Sequence, residues 1–263
     1  MDINLKNKVV VVMGGTAGIG FETTRMLLEE GAKVAICGRS QDRLEKAIEK
    51  LTDDSNRDHL FGMTCDVSKR EDVEAFINAT GEHFGRIDVL VNNAGRSIMS
   101  HFFDITDEQW QEQINLKYFA VIYAVQAVVP FMKAQGEGRI INMNATLSKE
   151  PEPHMVATAA TRAGLLNLTK SLSHELAKDN ILVNTISLGL IKTDQWERRR
   201  LERAPDLDPE VYYKELAENR KIPLARVGLP EEVGNVILFL ASERASYVTG
   251  ANIEVSGGLS KVL

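Results

Sequence analysis

The chain has 263 residues, 44% of them hydrophobic and 26% charged, a balance that excludes a disordered polymer and suffices for one large buried core. Its formal net charge of −6 removes bulk electrostatic attraction to nucleic acid or to an anionic membrane surface, so neither is expected as a partner. The opening residues Met1-Asp2-Ile3-Asn4-Leu5-Lys6 lack the basic segment and apolar stretch of a secretion signal, and the expected location is cytoplasmic.

In chain order, apolar runs of strand length alternate with stretches of helical period. Strands are expected at 8–13, 33–37, 59–64, 88–91, 139–143, 182–187 and 252–255. Helices fall between them at 18–30, 41–51, 69–83, 107–133, 155–178 and 230–241. Seven strands interleaved with helices predict an α/β chain, a single-domain Rossmann fold over 1–263 with a doubly wound, seven-stranded parallel sheet. The apolar run 119–132 is broken by Gln126 and Pro130 and is shorter than the roughly 20 residues a spanning helix needs, so it reads as a buried helix. Cys37 and Cys65 each close an apolar run without ligand-type spacing, which points to packed, reduced thiols and to no metal site. The exception to the alternation is 194–222, a charged excursion with Trp196, Arg198-Arg199-Arg200 and a Pro205 to Pro209 break. It follows the carboxyl end of a strand, where such sheets bind ligands, and reads as a lid; the three arginines read as solvated charge.

Gly14-Gly15-Thr16-Ala17-Gly18-Ile19-Gly20 lies between the first strand and the first helix. There, close backbone approach and a helix N-terminus can hold a pyrophosphate. Together with Cys65-Asp66-Val67 after the third strand and Asn92-Asn93-Ala94-Gly95 after the fourth, this turn resembles the short-chain dehydrogenase/reductase family along the whole chain. The resemblance implies that Gly14, Thr16, Gly18, Ile19 and Gly20 lie under the pyrophosphate and that Asp66 and Val67 flank the adenine. It further implies that Asn92, Ala94 and Gly95 floor the cleft by the ribose, and that Ile191 and Thr193 meet the nicotinamide carboxamide. The second strand ends Cys37-Gly38-Arg39-Ser40, with no acidic residue for a free ribose 2′-hydroxyl. Arg39 and Ser40 instead suit a 2′-phosphate, so NADP(H) is favoured over NAD(H).

In this family a serine, a tyrosine and a lysine act with an upstream asparagine. The resemblance places Asn115 at the asparagine, Ala145 at the serine, Thr158 at the tyrosine and Arg162 at the lysine. Thr158 and Arg162 stand i,i+4 on one helix and are expected to face one cleft. An aliphatic hydroxyl is a far weaker acid than a phenol, so proton donation by Thr158 is not expected. Arg162 keeps its charge and can grip a ribose or an oxyanion. Two readings stand. One is hydride addition to an activated C=C bond of a small molecule, with Arg162, Asn115 or Asn144 stabilising the enolate and water supplying the later proton. The other is a non-catalytic dinucleotide-binding protein. Ile140-Ile141-Asn142, Lys149-Glu150-Pro151, Ile191-Lys192-Thr193-Asp194 and Ser246-Tyr247-Val248-Thr249-Gly250 are similar to the olefin-reducing, NADPH-dependent reductase of the bacilysin (tetrahydrotyrosine) pathway, which favours the first. A displaced donor would restore carbonyl reduction, and His154, four residues before Thr158, is the candidate. Ser148 and Lys149 are read equally as substrate contacts or solvated loop, and Tyr118 as packing. The family resemblance also implies a homotetramer or homodimer.

Overall fold

A computed structural model describes residues 3–262. All seven expected strands form, within one or two residues of their expected limits: β1 Val9–Met13, β2 Lys33–Gly38, β3 Leu60–Thr64, β4 Val89–Asn92, β5 Gly138–Ala145, β6 Ile181–Leu188 and β7 Asn252–Val255. They pair in the order β3-β2-β1-β4-β5-β6-β7, and every pairing is parallel. The helices are α1 Gly18–Glu29, α2 Gln41–Leu51, α3 Arg70–Phe84, α4 Asp107–Ile114, α5 Ala120–Gln135, α6 Val156–Leu176, α7 Asp194–Arg203, α8 Pro209–Asn219 and α9 Pro230–Ala241.

Central parallel strands are covered on both faces, so β1 is Val-Val-Val-Val-Met and buried throughout. Its side chains alternate between two cores. Val10 and Val12 join Leu27, Leu44 and Ile237 from α1, α2 and α9. Val9, Val11 and Met13 join Phe76, Val125 and Leu165 from α3, α5 and α6. Cys37 and Cys65 pack in this second core as free thiols. Buried polar groups tie the layers where apolar packing would leave register free. Asn92 donates to Asn142 Oδ1 (2.8 Å), and Asn142 in turn donates to Thr169 Oγ1 on α6 (2.9 Å).

The helix expected at 107–133 does not run straight. Asn115–Phe119 forms a π-helical turn between α4 and α5, and the extra residue in that turn changes which side chains face inward. The combined run Asp107–Gln135 is long and apolar enough by composition to cross a membrane. In this fold Ala120, Val121, Ala124, Val125, Val128 and Met132 bury against the sheet and α3, the placement of a core helix. The excursion 194–222 is also more ordered than a solvated hairpin. It holds α7 and α8 with a small core of Tyr213, Ala217, Ile222 and Val227, against which Trp196 packs. Arg200 corrects the reading of the arginine run, because it is only 7% exposed. It bonds Glu197 Oε1 through Nε (2.9 Å) and the Leu207 carbonyl through Nη1 (3.0 Å).

At the amino edge of the sheet Asp88, 4% exposed, accepts from Val9 N through Oδ2 (2.8 Å) and from the Arg86 guanidinium. Its backbone joins β1 and β5 (Asp88 N to Val9 O, 2.9 Å; Arg139 N to Asp88 O, 3.0 Å). Removing the carboxylate orphans a buried amide, and Asp88→Ala is expected to lower stability by roughly 2–3 kcal/mol in urea denaturation while leaving the opposite edge of the sheet intact.

Candidate active site

All the strands point the same way, so their carboxyl ends open onto one crevice. The turn from β1 into α1 forms its floor. Gly14 and Gly18 take positive φ (82° and 54°), and a Cβ on Gly20 would lie 2.2 Å from the Gly14 carbonyl oxygen. Asn93 Nδ2 holds that oxygen at 2.9 Å. Ala17 precedes α1 without a capping side chain, so the first helical amides have no partner from that residue and lie beside the crevice floor. Thr16, Gly18 and Ile19 line the floor. Thr193 faces it from the far wall, its methyl 3.5 Å from where a Gly18 Cβ would stand. A glycine cradle under an uncapped helix end fits a dinucleotide pyrophosphate.

Two connected cavities extend from this floor, of about 870 Å³ and about 1120 Å³. The smaller is lined by Arg39, Ser40, Asp66, Val67 and Ala94. Ser40 caps α2, its hydroxyl accepting from Arg43 N at 3.4 Å. Burial pushes the Asp66 carboxyl up, but hydrogen bonds from Ser68 and the charges of Arg39 and Lys69 outweigh this and hold it below its ordinary value. The adjoining Cys37 thiol and then burial push the Cys65 thiol up. Arg43, one turn beyond Arg39, lines both cavities and was missed in the sequence, where it reads as one of several charges on an exposed helix.

The structure corrects several expected roles. Asn92 is spent on Asn142 inside the sheet; at the end of β4 it is Asn93, with Ala94 and Gly95, that lines the crevice. Asn115 lies on the wall of the smaller cavity and accepts from Gln111 Nε2 (2.8 Å), away from Arg162. Asn144 uses its amide to hold α6 (Nδ2 to Arg162 O, 3.1 Å) and its own carbonyl oxygen to accept from Ala145 N (3.0 Å). Thr158 is fully buried. Its hydroxyl accepts from Ile98 N (3.2 Å) and shares its proton between Ile98 O (3.2 Å) and Gln113 Oε1 (3.1 Å), so it does not face the cleft with Arg162. His154 turns to Glu152 (3.3 Å), itself paired with Arg220, and lies outside both cavities. Lys149 pairs with Glu254 (3.4 Å). Tyr118 packs as expected, its hydroxyl so close to α6 that a Cβ on Gly164 would lie 1.4 Å from it.

Arg162 does reach the larger cavity, with Ile191 and Thr193 on the same wall. Its Nη1 donates to Met143 O (2.6 Å), and burial pulls its pKa down to about 10, so it stays charged at neutral pH. Behind it stands Lys117, 2% exposed, which the π-helical turn directs inward to donate to Gln113 Oε1. Burial and the charge of Arg162 pull this amine down to about 6 against a smaller opposing pull from Glu112. Arg162 Nε and Gln113 Nε2 are buried without a partner among the described residues. The corner is therefore rich in donors and short of acceptors, which suits an electronegative oxygen. One signal for Lys117 was available in the sequence, since it is the single charged residue from 114 to 132.

Two outcomes follow from this geometry. Arg39→Ala is expected to weaken NADPH binding about tenfold or more and NADH binding little, by calorimetry. For Lys117, the native pKa lies below the unfolded value of 10.5, so the unfolded chain binds the extra proton and this group's contribution to stability rises with pH from about 6 to 10.5. Lys117→Met is therefore expected to be more stable than the parent at pH 7, with the gap shrinking by about 1.4 kcal/mol per pH unit toward pH 10 in denaturant melts.

A family model described as enoyl-(acyl carrier protein) reductase matches residues 14–260. A 3α-hydroxysteroid dehydrogenase of Mediterraneibacter gnavus is 38% identical over 257 residues, 98% of each chain. Two structures of short-chain oxidoreductase from Pseudomonas aeruginosa PAO1 containing an atypical catalytic center are similar throughout. The apo form is 43% identical with a TM-score of 0.91, covering 97% of this chain and 98% of that one. The NADPH-bound form is 41% identical with a TM-score of 0.89, covering 98% and 100%. On the glycine turn, the sheet order and these matches, the chain belongs to the short-chain dehydrogenase/reductase family of oxidoreductases.

Proposed function

We propose that the chain is an NADP(H)-dependent enzyme that reduces the conjugated C=C bond of a small molecule, with 194–222 as the lid of its site. The cofactor assignment rests on Arg39 and Ser40 at the end of β2 and on the NADPH-bound relative at 41% identity. Gly14, Gly18 and Gly20 would cradle the pyrophosphate, Asp66 and Val67 the adenine, and Ile191 and Thr193 the carboxamide. Bound NADPH supplies a hydride. Arg162 and Thr193 border the larger cavity where that hydride would be received.

The observation that carries the reading is the state of Thr158. Its hydroxyl is buried and committed to Ile98 and Gln113, so it offers no acid to a ketone oxygen, whereas general acid catalysis is typically worth about 10²- to 10⁴-fold. Conjugate reduction needs no such acid in the hydride step. Negative charge develops on the substrate's carbonyl oxygen, Arg162 stabilises it, and water later delivers a proton to carbon. Residue-level similarity to the olefin-reducing enzyme of the bacilysin pathway supports the same choice. A second reading, carbonyl reduction, is favoured by the depressed Lys117 amine, whose pKa near 6 suits a proton donor, and by relatives named as hydroxysteroid dehydrogenase and 3-oxoacyl-[acyl-carrier-protein] reductase. The enzyme works in the cytoplasm as a homodimer or homotetramer; the assembly is supported by apolar surface at the start of α5 and on α9, where Phe119 of the π-helical turn and Phe239 are each 39% exposed.

The test is NADPH oxidation across enones, enoyl thioesters and ketones, with deuterium from labelled cofactor located in the product. Label on the β-carbon, with ketones slower by about 10²-fold or more, is the expected result. Ketones as the fastest substrates, with a rate that falls as pH rises through about 6, would establish the second reading, and tight binding without turnover would make the chain a non-catalytic binder. Thr158→Ala is expected to cost roughly 1–3 kcal/mol of stability through the orphaned Ile98 groups but at most about threefold in turnover. Arg162→Met is expected to lower kcat/KM by about 10².

A further inference from the structure

We propose that Arg199, stacked on Trp196 of α7, recognises a carboxylate carried by the substrate. The inference rests on the reading of the larger cavity as the substrate site. Trp196 and Arg199 are three residues apart and share one helix face. The guanidinium carbon lies 4.8 Å from the Trp196 ring centroid. Trp196 packs on the small core around Tyr213, Ala217 and Ile222, so the ring is fixed by its neighbours and fixes the arginine in turn. Stacking occupies the face of a guanidinium and leaves its in-plane N–H groups free to meet a planar two-oxygen anion.

The three consecutive arginines of α7 have different fates. Arg200 turns inward, paired with Glu197 and bonded to the Leu207 carbonyl. Arg198 is exposed. Arg199 is half-buried and lines the larger cavity together with Arg162 and Trp196. Among the described residues it makes no ion pair: Glu197 is taken by Arg200 and by the Tyr213 hydroxyl (3.1 Å), and Glu202, which lines the same cavity, acts on it only through its charge. Burial and then the charge of Arg203 draw the Arg199 guanidinium below its ordinary value, against smaller opposing pulls from Tyr212 and Glu202. A partly desolvated cation without an ion-pair partner is unfavourable on its own and becomes favourable when a ligand brings the anion.

The position of this face argues for substrate over cofactor. Arg203, one turn beyond Arg199, touches Met99 Sδ (3.9 Å) in the segment after β4 that also carries Ile98, the partner of Thr158. That face of α7 therefore stands at the Arg162 end of the crevice. Gly18 of the phosphate cradle shares the larger cavity, but Gly14 and Arg39, where the cofactor's far end would lie, line only the smaller one. A substrate held by its carboxylate on Arg199 would reach toward Arg162 with the group to be reduced.

The test uses the full chain loaded with NADP+ and a pair of probes that need no turnover, 4-oxo-4-phenylbutanoate and its methyl ester, compared by calorimetry. The acid is expected to bind at least about tenfold more tightly than the ester. Arg199→Gln should erase that ratio and Arg199→Lys should keep part of it. Arg198→Gln, which removes an exposed and unstacked charge from the same cavity wall, should preserve most of it. Equal binding of acid and ester to the parent chain, or a preference that survives Arg199→Gln, would overturn the proposal. The corresponding enone acid, 4-oxo-4-phenylbut-2-enoate, is then offered with NADPH. Charge-selective binding without its reduction would refute the proposed reaction and leave the carboxylate site standing.

Discussion

Two basic side chains from different elements, Arg162 of α6 and Lys117 of the π-helical turn, share one water-poor corner, and that corner cannot hold two full charges. Two like charges repel more strongly as water is withdrawn. Burial is the larger cause and the Arg162 charge the second; arginine is the harder of the two to deprotonate, so the lysine yields, and its amine falls to about 6. The arrangement around it follows. Gln113 spends its carbonyl oxygen on Lys117 and on Thr158, Thr158 is thereby held against Ile98, and the segment after β4 is pinned to α6. What remains at the crevice is the Arg162 charge, with a buried Nε–H that has no partner among the described residues.

The rest of the fold serves to bring that corner to a hydride carrier. Parallel strands deliver every βα connection to the same edge, and the buried Asn92–Asn142–Thr169 bonds set the heights of β4, β5 and α6 relative to one another. Asp88 does the equivalent at the opposite edge, far from any chemistry. Family members that reduce ketones and members that reduce olefins can share this scaffold because both must position a hydride. They differ in where charge and proton go afterward.

The alternation of apolar runs made all seven strands and their order in the chain legible, because a strand covered on both faces leaves no ambiguity of burial. The glycine turn was equally plain, since Gly14 and Gly20 are required by backbone geometry that no other residue satisfies. The chemistry at the far end was less so. A helical count through 107–133 cannot register one extra residue in a turn, and that residue is what exchanges Asn115 for Lys117 at the inner face. Thr158 stands at the expected helical position, but its hydroxyl is short and finds partners in a segment sixty residues away, a pairing that no local pattern encodes. Asn92 and Asn93 were separated only by the alternation at the last residue of β4. His154 was diverted by Glu152 and Arg220, and the burial of Arg200 depends on the loop carbonyls that surround it.

Ser40 performs two tasks at one position. Its oxygen starts α2, and the same residue stands at the tip of β2 beside Arg39. Aspartate begins helices as well as serine does, and an acid at the tip of β2 is what a free ribose hydroxyl prefers. An acid at this position would thus keep the helix start while changing the group offered to the ribose. Divergence in redox partner, NADP(H) to NAD(H), is open to this lineage at little cost to its architecture.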